Sequence, residues 1–309
     1  MNALHVIFGT GPLGRYTAEA LLERGLRVRL VNRSGKMEMP PAGAELLKAD
    51  VLNYSETYPL VEGAAAIYQC AQPAYHRWQQ EFSQLQDAII KLATESGAKL
   101  VAAENLYMYG NTHGKPMTES TPHNPCSKKG EVRSEMSKTL FEAHKSGKIR
   151  AAAVRGSDFF GPWEPIQGEM LFKAALQKKI INALGSLDQP HTFTYVKDFG
   201  RALATAGTND LALGKVWHVP SGPAITQQQL LDLVSKQLGY PLKGRPSGKF
   251  ILSLIGLFNA SAKELVEMLY EFNQPFILDG SAMQQTFGLT ATPMEQRISE
   301  TLEWAKTQM

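Results

Sequence analysis

Six residues near the start of this 309-residue chain constrain its fold most: Gly9-Thr10-Gly11-Pro12-Leu13-Gly14, a Gly-x-Gly-x-x-Gly pattern. The apolar run Leu4 to Phe8 before them reads as a buried parallel strand. The segment from about Pro12 to Arg24 reads as a helix, with Leu13, Ala20 and Leu21 on its inner side and Gly25 ending it. Between a strand and a helix the first glycine permits a tight turn. The second lets the backbone approach a pyrophosphate, and the third lets the helix pack closely on the strand. The helix N-terminus then offers amide donors and partial positive charge to phosphates.

Arg27 to Val31 completes a strand–helix–strand unit, and the alternation continues. Leu46 to Ala49, Ala65 to Cys70, Lys99 to Ala103 and Arg150 to Arg155 read as strands, with helices at Trp78 to Ser96 and Val132 to Lys145. Such alternation predicts an α/β chain with a doubly wound parallel sheet of Rossmann type. After Gly161-Pro162 the regularity weakens. Met170 to Lys179, Thr226 to Leu238 (Thr226 as N-cap) and Pro293 to Lys306 read as helices, and Val216 to Val219 as a strand. A dinucleotide-binding domain over residues 1–162, with 190–222 returning to it, and a smaller, mostly helical substrate lobe over 163–189 and 223–309 are expected.

Composition narrows the function classes. The formal charge of +3 comes from scattered basic residues, which leaves no electrostatic footprint for nucleic acid. Two distant cysteines, Cys70 and Cys126, read as free thiols in a reducing compartment. The seven histidines form no metal-ligand spacing, so no metal is expected. There is no signal-peptide pattern, and Phe250 to Phe258 is about half the length of a membrane span. A cytoplasmic protein without membrane partners, acting on a small molecule and compatible with a homodimer, is expected.

At the end of the second strand, where an NAD-binding chain usually places an acidic residue, stand Asn32-Arg33-Ser34-Gly35-Lys36. Arg33 can make charge-assisted bonds to a 2′-phosphate with help from Ser34, so NADP(H) is preferred and NAD(H) remains open.

With the glycine turn, Asp50-Val51 after the third strand and Tyr109-Gly110 after the fifth, the chain resembles the short-chain dehydrogenase/reductase superfamily. It is most similar to the extended, NAD-dependent epimerase/dehydratase branch. Arg155 to Pro162 is similar to that branch's Arg-x-x-x-x-x-Gly-Pro segment, and Phe193 to Asp198 to its Phe-x-x-Val-x-Asp segment. His218 to Thr226 and Glu300 to Lys306 resemble its later landmarks. The resemblance implies that Gly9, Thr10, Gly11, Pro12, Leu13 and Gly14 cradle the pyrophosphate and that Asp50 and Val51 flank the adenine. It also implies that Ala71, Gln72 and Pro73 line the nicotinamide ribose and that Ser157 lies near the nicotinamide.

One departure bears on chemistry. In the superfamily a Tyr-x-x-x-Lys pair on the helix after strand five exchanges the proton, because the lysine lowers the tyrosine's pKa. None of the ten tyrosines here is followed four residues later by lysine, and Pro125 to Glu131 occupies the expected place. Glu104-Asn105 also stands where two small hydroxyl residues are usual. Three explanations stay open. In the first, Tyr107 or Tyr109 is a surrogate, helped by Glu104, Asn105, Lys128 or Lys129, with Tyr107, Asn105 and Lys128 as the leading set. In the second, chemistry is lost in favour of sensing NADP(H); in the third, the proton comes from water or substrate.

Where many relatives meet a pyrophosphate with an arginine, this chain has His191. Arg245 or Lys249 could supply charge instead, while Phe159, Phe160, Trp163 and the Phe250–Phe258 run suggest a more apolar cleft. The expected activity is that of an NADP(H)-dependent oxidoreductase or epimerase/dehydratase-like enzyme on a carbonyl or hydroxyl substrate, a sugar derivative included. The alternative is a non-catalytic NADP(H)-binding regulator.

Overall fold

Seven strands, the central ones apolar and buried on both faces, assemble into one parallel sheet. The computed structural model describes residues 2–256 and 260–309. The strands are β1 (Leu4–Phe8), β2 (Arg27–Asn32), β3 (Ala44–Lys48), β4 (Ala64–Gln69), β5 (Lys99–Glu104), β6 (Arg150–Arg155) and, later in the chain, β10 (Val216–His218). Their order is β10-β6-β5-β4-β1-β2-β3. The chain winds outward from β1 through β2 and β3, then crosses back to β4 on the other side. The crevice beyond the C-terminal ends of β1 and β4 is therefore the topological switch point, where open α/β sheets bind ligands.

Helices cover both faces. On one lie α1 (Pro12–Leu22) and α6 (Val196–Thr208), which meet where Gly200 touches Tyr16: a Cβ on Gly200 would stand 2.4 Å from the Tyr16 carbonyl carbon. On the other lie α2 (Tyr54–Val61), α3 (Trp78–Ser96) and α4 (Lys128–Lys145), with Ile89, Leu92 and Leu140 packed on Ile67 and Leu100. Burial of such side chains stabilises the sheet by about 1.5–3 kcal/mol each.

The remaining elements are the short strands β7 (Phe159–Phe160), β8 (Ile181–Leu184), β9 (Thr194–Tyr195) and β11 (Gly244–Ser247), and α5 (Phe172–Leu176), α7 (Gln227–Leu238), α8 (Lys249–Gly256), α9 (Ala260–Leu265), α10 (Ser281–Phe287) and α11 (Met294–Thr307). Phe160, Phe172, Leu230, Val234, Ile298 and Leu302 form a separate core in this helical C-terminal region.

Several sequence expectations shift. The α4 helix begins at Lys128 rather than Val132, because the Ser127 hydroxyl caps it by accepting from the Gly130 amide at 3.1 Å. The expected helix Met170 to Lys179 is a π-helical turn at Pro165–Leu171 followed by the short α5. Helix α6 was not anticipated, although it is amphipathic: Lys197, Arg201 and Thr208 mark its one accessible side, opposite the buried Phe199, Ala202, Leu203 and Ala206. Thr226 does cap α7, in a capping box with Gln229. Of the apolar run Phe250 to Phe258, Phe250 is 82% exposed. Leu257 and Phe258 lie outside the described residues. Among the described residues no helix is long and apolar enough to cross a membrane.

Candidate dinucleotide and substrate cleft

The glycine turn sits at the switch point, and each glycine meets a different constraint. Gly9 has φ +102°, and a Cβ there would stand 2.5 Å from the Ala71 amide nitrogen after β4. A Cβ on Gly14 would stand 1.9 Å from the Gly9 carbonyl oxygen, so only glycine lets the helix start this close to the strand. Gly11, by contrast, faces open space, with nothing within 4 Å of a Cβ. It is the N-cap of α1, and no side chain caps the helix. The open side of the turn therefore offers amides and room for a phosphate at once.

From this turn a cleft of about 940 Å³ runs across the C-terminal edge of the sheet. Gly9, Thr10, Gly11, Pro12 and Leu13 line it, as do Asn32, Arg33, Asp50, Val51, Ala71, Gln72, Pro73 and Ser157. Gly14 packs beneath the turn. Ser34 is not part of the wall: its hydroxyl donates to Asn32 Oδ1 at 3.0 Å. Asn32 organises this corner, donating through Nδ2 to Thr10 Oγ1 at 2.6 Å and accepting the Gly35 amide at 2.6 Å. Arg33 is exposed, and among the described residues it makes no hydrogen bond or ion pair.

Tyr107 and Asn105, just past β5, line the opposite end. Among the described residues the Tyr107 hydroxyl meets one polar group, the phenol of Tyr75, which donates to it at 3.5 Å. Burial raises the Tyr107 pKa well above the usual range, so the phenol is neutral and can donate a hydrogen bond. Asn105 Oδ1 accepts from the Tyr107 amide and from Arg133 Nε, each at 3.3 Å. The expectation for Lys128 is corrected: it is exposed at the start of α4 and does not line the cleft. The buried lysine is its neighbour Lys129, whose ammonium lies 4.4 Å from the Tyr75 ring centroid. It pairs with Glu264 and, at 3.3 Å, with Glu267. Helical geometry explains this, since adjacent positions point about 100° apart. No cation is thus brought to the Tyr107 hydroxyl by either lysine.

Two further residues of this region, Asp158 and Glu271, carry no sequence motif that would single them out. Both line the cleft. Asp158 Oδ2 lies 3.0 Å from His191 Nε2, and His191 Nδ1 donates to the Glu271 carbonyl oxygen at 3.2 Å. The Glu271 carboxyl is 1% exposed, and burial, reinforced by the charge of Asp158, raises its pKa well above the usual range. Tyr75, Met268, Phe272 and Phe276 complete this end. Three arginines line the cleft among the described residues: Arg33 at the turn end, Arg77, paired with Glu81 at 2.8 Å, and Arg133. Arg133 is also committed, donating to the Ala103 carbonyl at 2.9 Å. Arg245 donates to Asn182 and, like exposed Lys249, stands outside the wall.

The residues present fit a nicotinamide dinucleotide. Gly11 leaves a cradle that a Cβ would fill, and the buried Ser157 hydroxyl and Gln69 side-chain oxygen in the same cleft have no hydrogen-bond partner among the described residues. Such groups are costly unless a ligand or water meets them.

Comparison with known proteins agrees with this geometry. The mouse (Mus musculus) sterol-4-alpha-carboxylate 3-dehydrogenase, decarboxylating, is 25% identical over 249 residues, which span 76% of this chain and 68% of that protein. The fold matches UDP-glucose 4-epimerase from Thermotoga maritima, solved with UDP-glucose, at a TM-score of 0.80 and 16% identity over 99% of both chains. It matches UDP-glucuronic acid 4-epimerase from Bacillus cereus, solved with NAD, at 0.77 and 15% over 99% of both. Residues 6–219, which contain the glycine turn and all of the seven-stranded sheet except Leu4 and His5 of β1, match the family model itself, and the chain belongs to the NAD dependent epimerase/dehydratase family.

Proposed function

We propose that this protein is an NADP(H)-dependent oxidoreductase acting on an uncharged, largely apolar carbonyl or hydroxyl compound. The observation that carries the reading is the polarity of the cleft from end to end. A phosphate-accepting turn and an unpaired arginine lie at one end, and phenylalanines, tyrosines and carboxyls at the other. When bound, the dinucleotide supplies or accepts a hydride at its nicotinamide ring. Gly9 to Gly14 would seat its pyrophosphate, Arg33 its 2′-phosphate, Asp50 and Val51 its adenine, and Ser157 would meet the nicotinamide end.

The far end argues against a diphosphate-linked substrate, even though structural neighbours were solved with UDP-sugars. Asp158 faces that space, and the arginines nearest to it are already engaged. A diphosphate placed there would meet Asp158 with no arginine free to bind it. The neutral Tyr107 phenol suits donation to a carbonyl oxygen, with Asn105 holding the turn that presents it. In this reading the member is atypical, because no lysine prepares a tyrosine as proton donor.

The test follows nicotinamide absorbance with NADPH and a panel of aldehydes, apolar ketones including sterol ketones, and UDP-sugars. Steady NADPH consumption with an apolar carbonyl compound is expected. Turnover of UDP-sugars alone would overturn the substrate class. Tight NADPH binding without turnover of any compound would favour a dinucleotide sensor instead.

A further inference from the structure

We propose that Asp158 and His191 form a buried acid–base pair that holds one exchangeable proton and passes it to or from the substrate oxygen. The inference rests on the reading above that a carbonyl or hydroxyl substrate occupies this end of the cleft.

Hydrogen-bond accounting leads to the proton. His191 Nδ1 lies 3.2 Å from the carbonyl oxygen of Glu271, which can only accept, so Nδ1 carries hydrogen. Its other nitrogen, Nε2, lies 3.0 Å from Asp158 Oδ2. In a neutral ring with hydrogen on Nδ1, Nε2 is itself an acceptor, and two lone pairs would face each other at hydrogen-bond distance. The contact requires one more proton, borne by Nε2 as an imidazolium beside a carboxylate or by Oδ2 as a carboxylic acid beside a neutral ring. Either way the pair holds one proton in a hydrogen bond between two sites.

The surroundings fix the pair and leave it without rivals. The imidazole is 1% exposed and stacks on Phe272 at a centroid distance of 4.6 Å and 3° between planes. Phe276 lies against it at 5.3 Å, so the ring cannot turn away. The titratable groups whose fields couple to Asp158 here are Glu271, Tyr75, Tyr107 and Tyr270, and burial raises the pKa of all four. The three phenols are neutral near pH 7, and His191 is the direct partner of Asp158, at 3.0 Å.

Position gives the pair its use. Asp158 lines the cleft and directly follows Ser157, the residue read as adjoining the nicotinamide. Reduction of a carbonyl requires a hydride at carbon and a proton at oxygen. A bound reduced nicotinamide would supply the hydride at carbon; the C=O π pair would move to oxygen, which would take the proton that Asp158 and His191 held. The pair is left short of one proton and regains it from solvent. Alcohol oxidation runs the transfers backwards. Asp158 would be the catalytic residue, and His191, acting through it, the positioning residue.

The first experiment needs no substrate and no variant. The protein, with ¹⁵N-labelled histidine and ¹³C-labelled aspartate carboxyl groups, is titrated by NMR between about pH 5.5 and 8.5 with NADP⁺ present. Near pH 7 we expect hydrogen on His191 Nδ1 together with a strongly deshielded proton between Nε2 and Asp158. A bare Nε2 beside an ionised Asp158 would overturn the proposal. The second measures NADPH oxidation with whichever carbonyl compound turns over fastest, comparing wild type with Asp158→Asn across pH. A fall in kcat of about 100-fold or more is expected, with a flattened pH profile and NADPH affinity within about twofold. Wild-type kcat in Asp158→Asn would overturn it. Failure to bind any dinucleotide would count against the proposed function alone, because the NMR titration would still decide whether the pair holds its proton.

Discussion

Glu104 and Arg155 face one another across the neighbouring parallel strands β5 and β6, with guanidinium Nε donating to a carboxylate oxygen at 2.8 Å. Both are buried, at 3% and 1% exposure. The remaining guanidinium nitrogens donate to the Tyr109 hydroxyl at 2.6 Å and to Ser137 Oγ at 2.7 Å. Tyr109 in turn donates to His218 Nε2 at 2.7 Å, and His218 Nδ1 donates to the Asp279 carbonyl at 3.0 Å. A continuous polar chain thus joins β5, β6, α4 and β10 to the C-terminal region. Tyr109, a surrogate candidate on sequence, is committed to this chain and is absent from the cleft wall.

Glu104→Gln should remove the charge that balances Arg155 and destabilise the protein by about 3–5 kcal/mol, the usual cost of stranding one partner of a buried pair. Joint replacement by Glu104→Leu and Arg155→Met should recover much of that loss. Urea unfolding of the three proteins checks both outcomes, and a Glu104→Gln protein as stable as wild type would show that the pair contributes nothing.

His218 is fully buried, and burial, reinforced by the charge of Arg155, lowers its pKa from 6.5 to about 3. The unfolded chain therefore binds a proton near pH 6.5 that the folded chain refuses until about pH 3. Stability from the neutral ring is complete above pH 6.5 and is lost as the pH falls toward 3. His5, lowered to about 4 mainly by burial, acts in the same direction. Between pH 6 and 4, His218→Asn should reduce the slope of unfolding free energy against pH by about 1.4 kcal/mol per unit. An unchanged slope would contradict a neutral buried ring.

Gly14→Ala and Gly11→Ala should separate folding from ligand binding. The first forces a methyl to 1.9 Å from the Gly9 carbonyl oxygen and should cost about 1–3 kcal/mol or more in stability. The second places a methyl in open space, so the thermal midpoint should hold while NADPH binding weakens by about tenfold. Calorimetry and thermal denaturation read the two effects independently.

Arg33→Glu should weaken NADPH binding by roughly ten- to a hundredfold, the loss of about 1.5–3 kcal/mol of charge-assisted hydrogen bonding. NADH binding should change much less. Equal losses for both nucleotides would refute the assignment of Arg33 to the 2′-phosphate.

Local chemistry made much of this protein legible in its sequence. The glycine turn, the buried runs of β1 and β6, the helix Trp78–Ser96 and the Thr226 cap each depend on residues close in the chain. Helix α6 did carry a periodic signal, with Lys197, Arg201 and Thr208 opposite its buried apolar side, whereas α2 was hidden behind Pro59 within it. The choice between Lys128 and Lys129 also lay beyond the sequence, since it depended on where Ser127 started the helix turning.

The sequence by itself determined that a strand, a glycine turn and a helix would present amides to a phosphate, because those contacts span only a few residues. Only the tertiary structure decided the other end of the cleft. Asp158, His191 and Glu271 lie far apart in the chain, and their pairing and burial exist only once β6, the segment before β9 and the turn after α9 converge. Desolvation and hydrogen bonding are properties of that meeting place, and no stretch of sequence contains them.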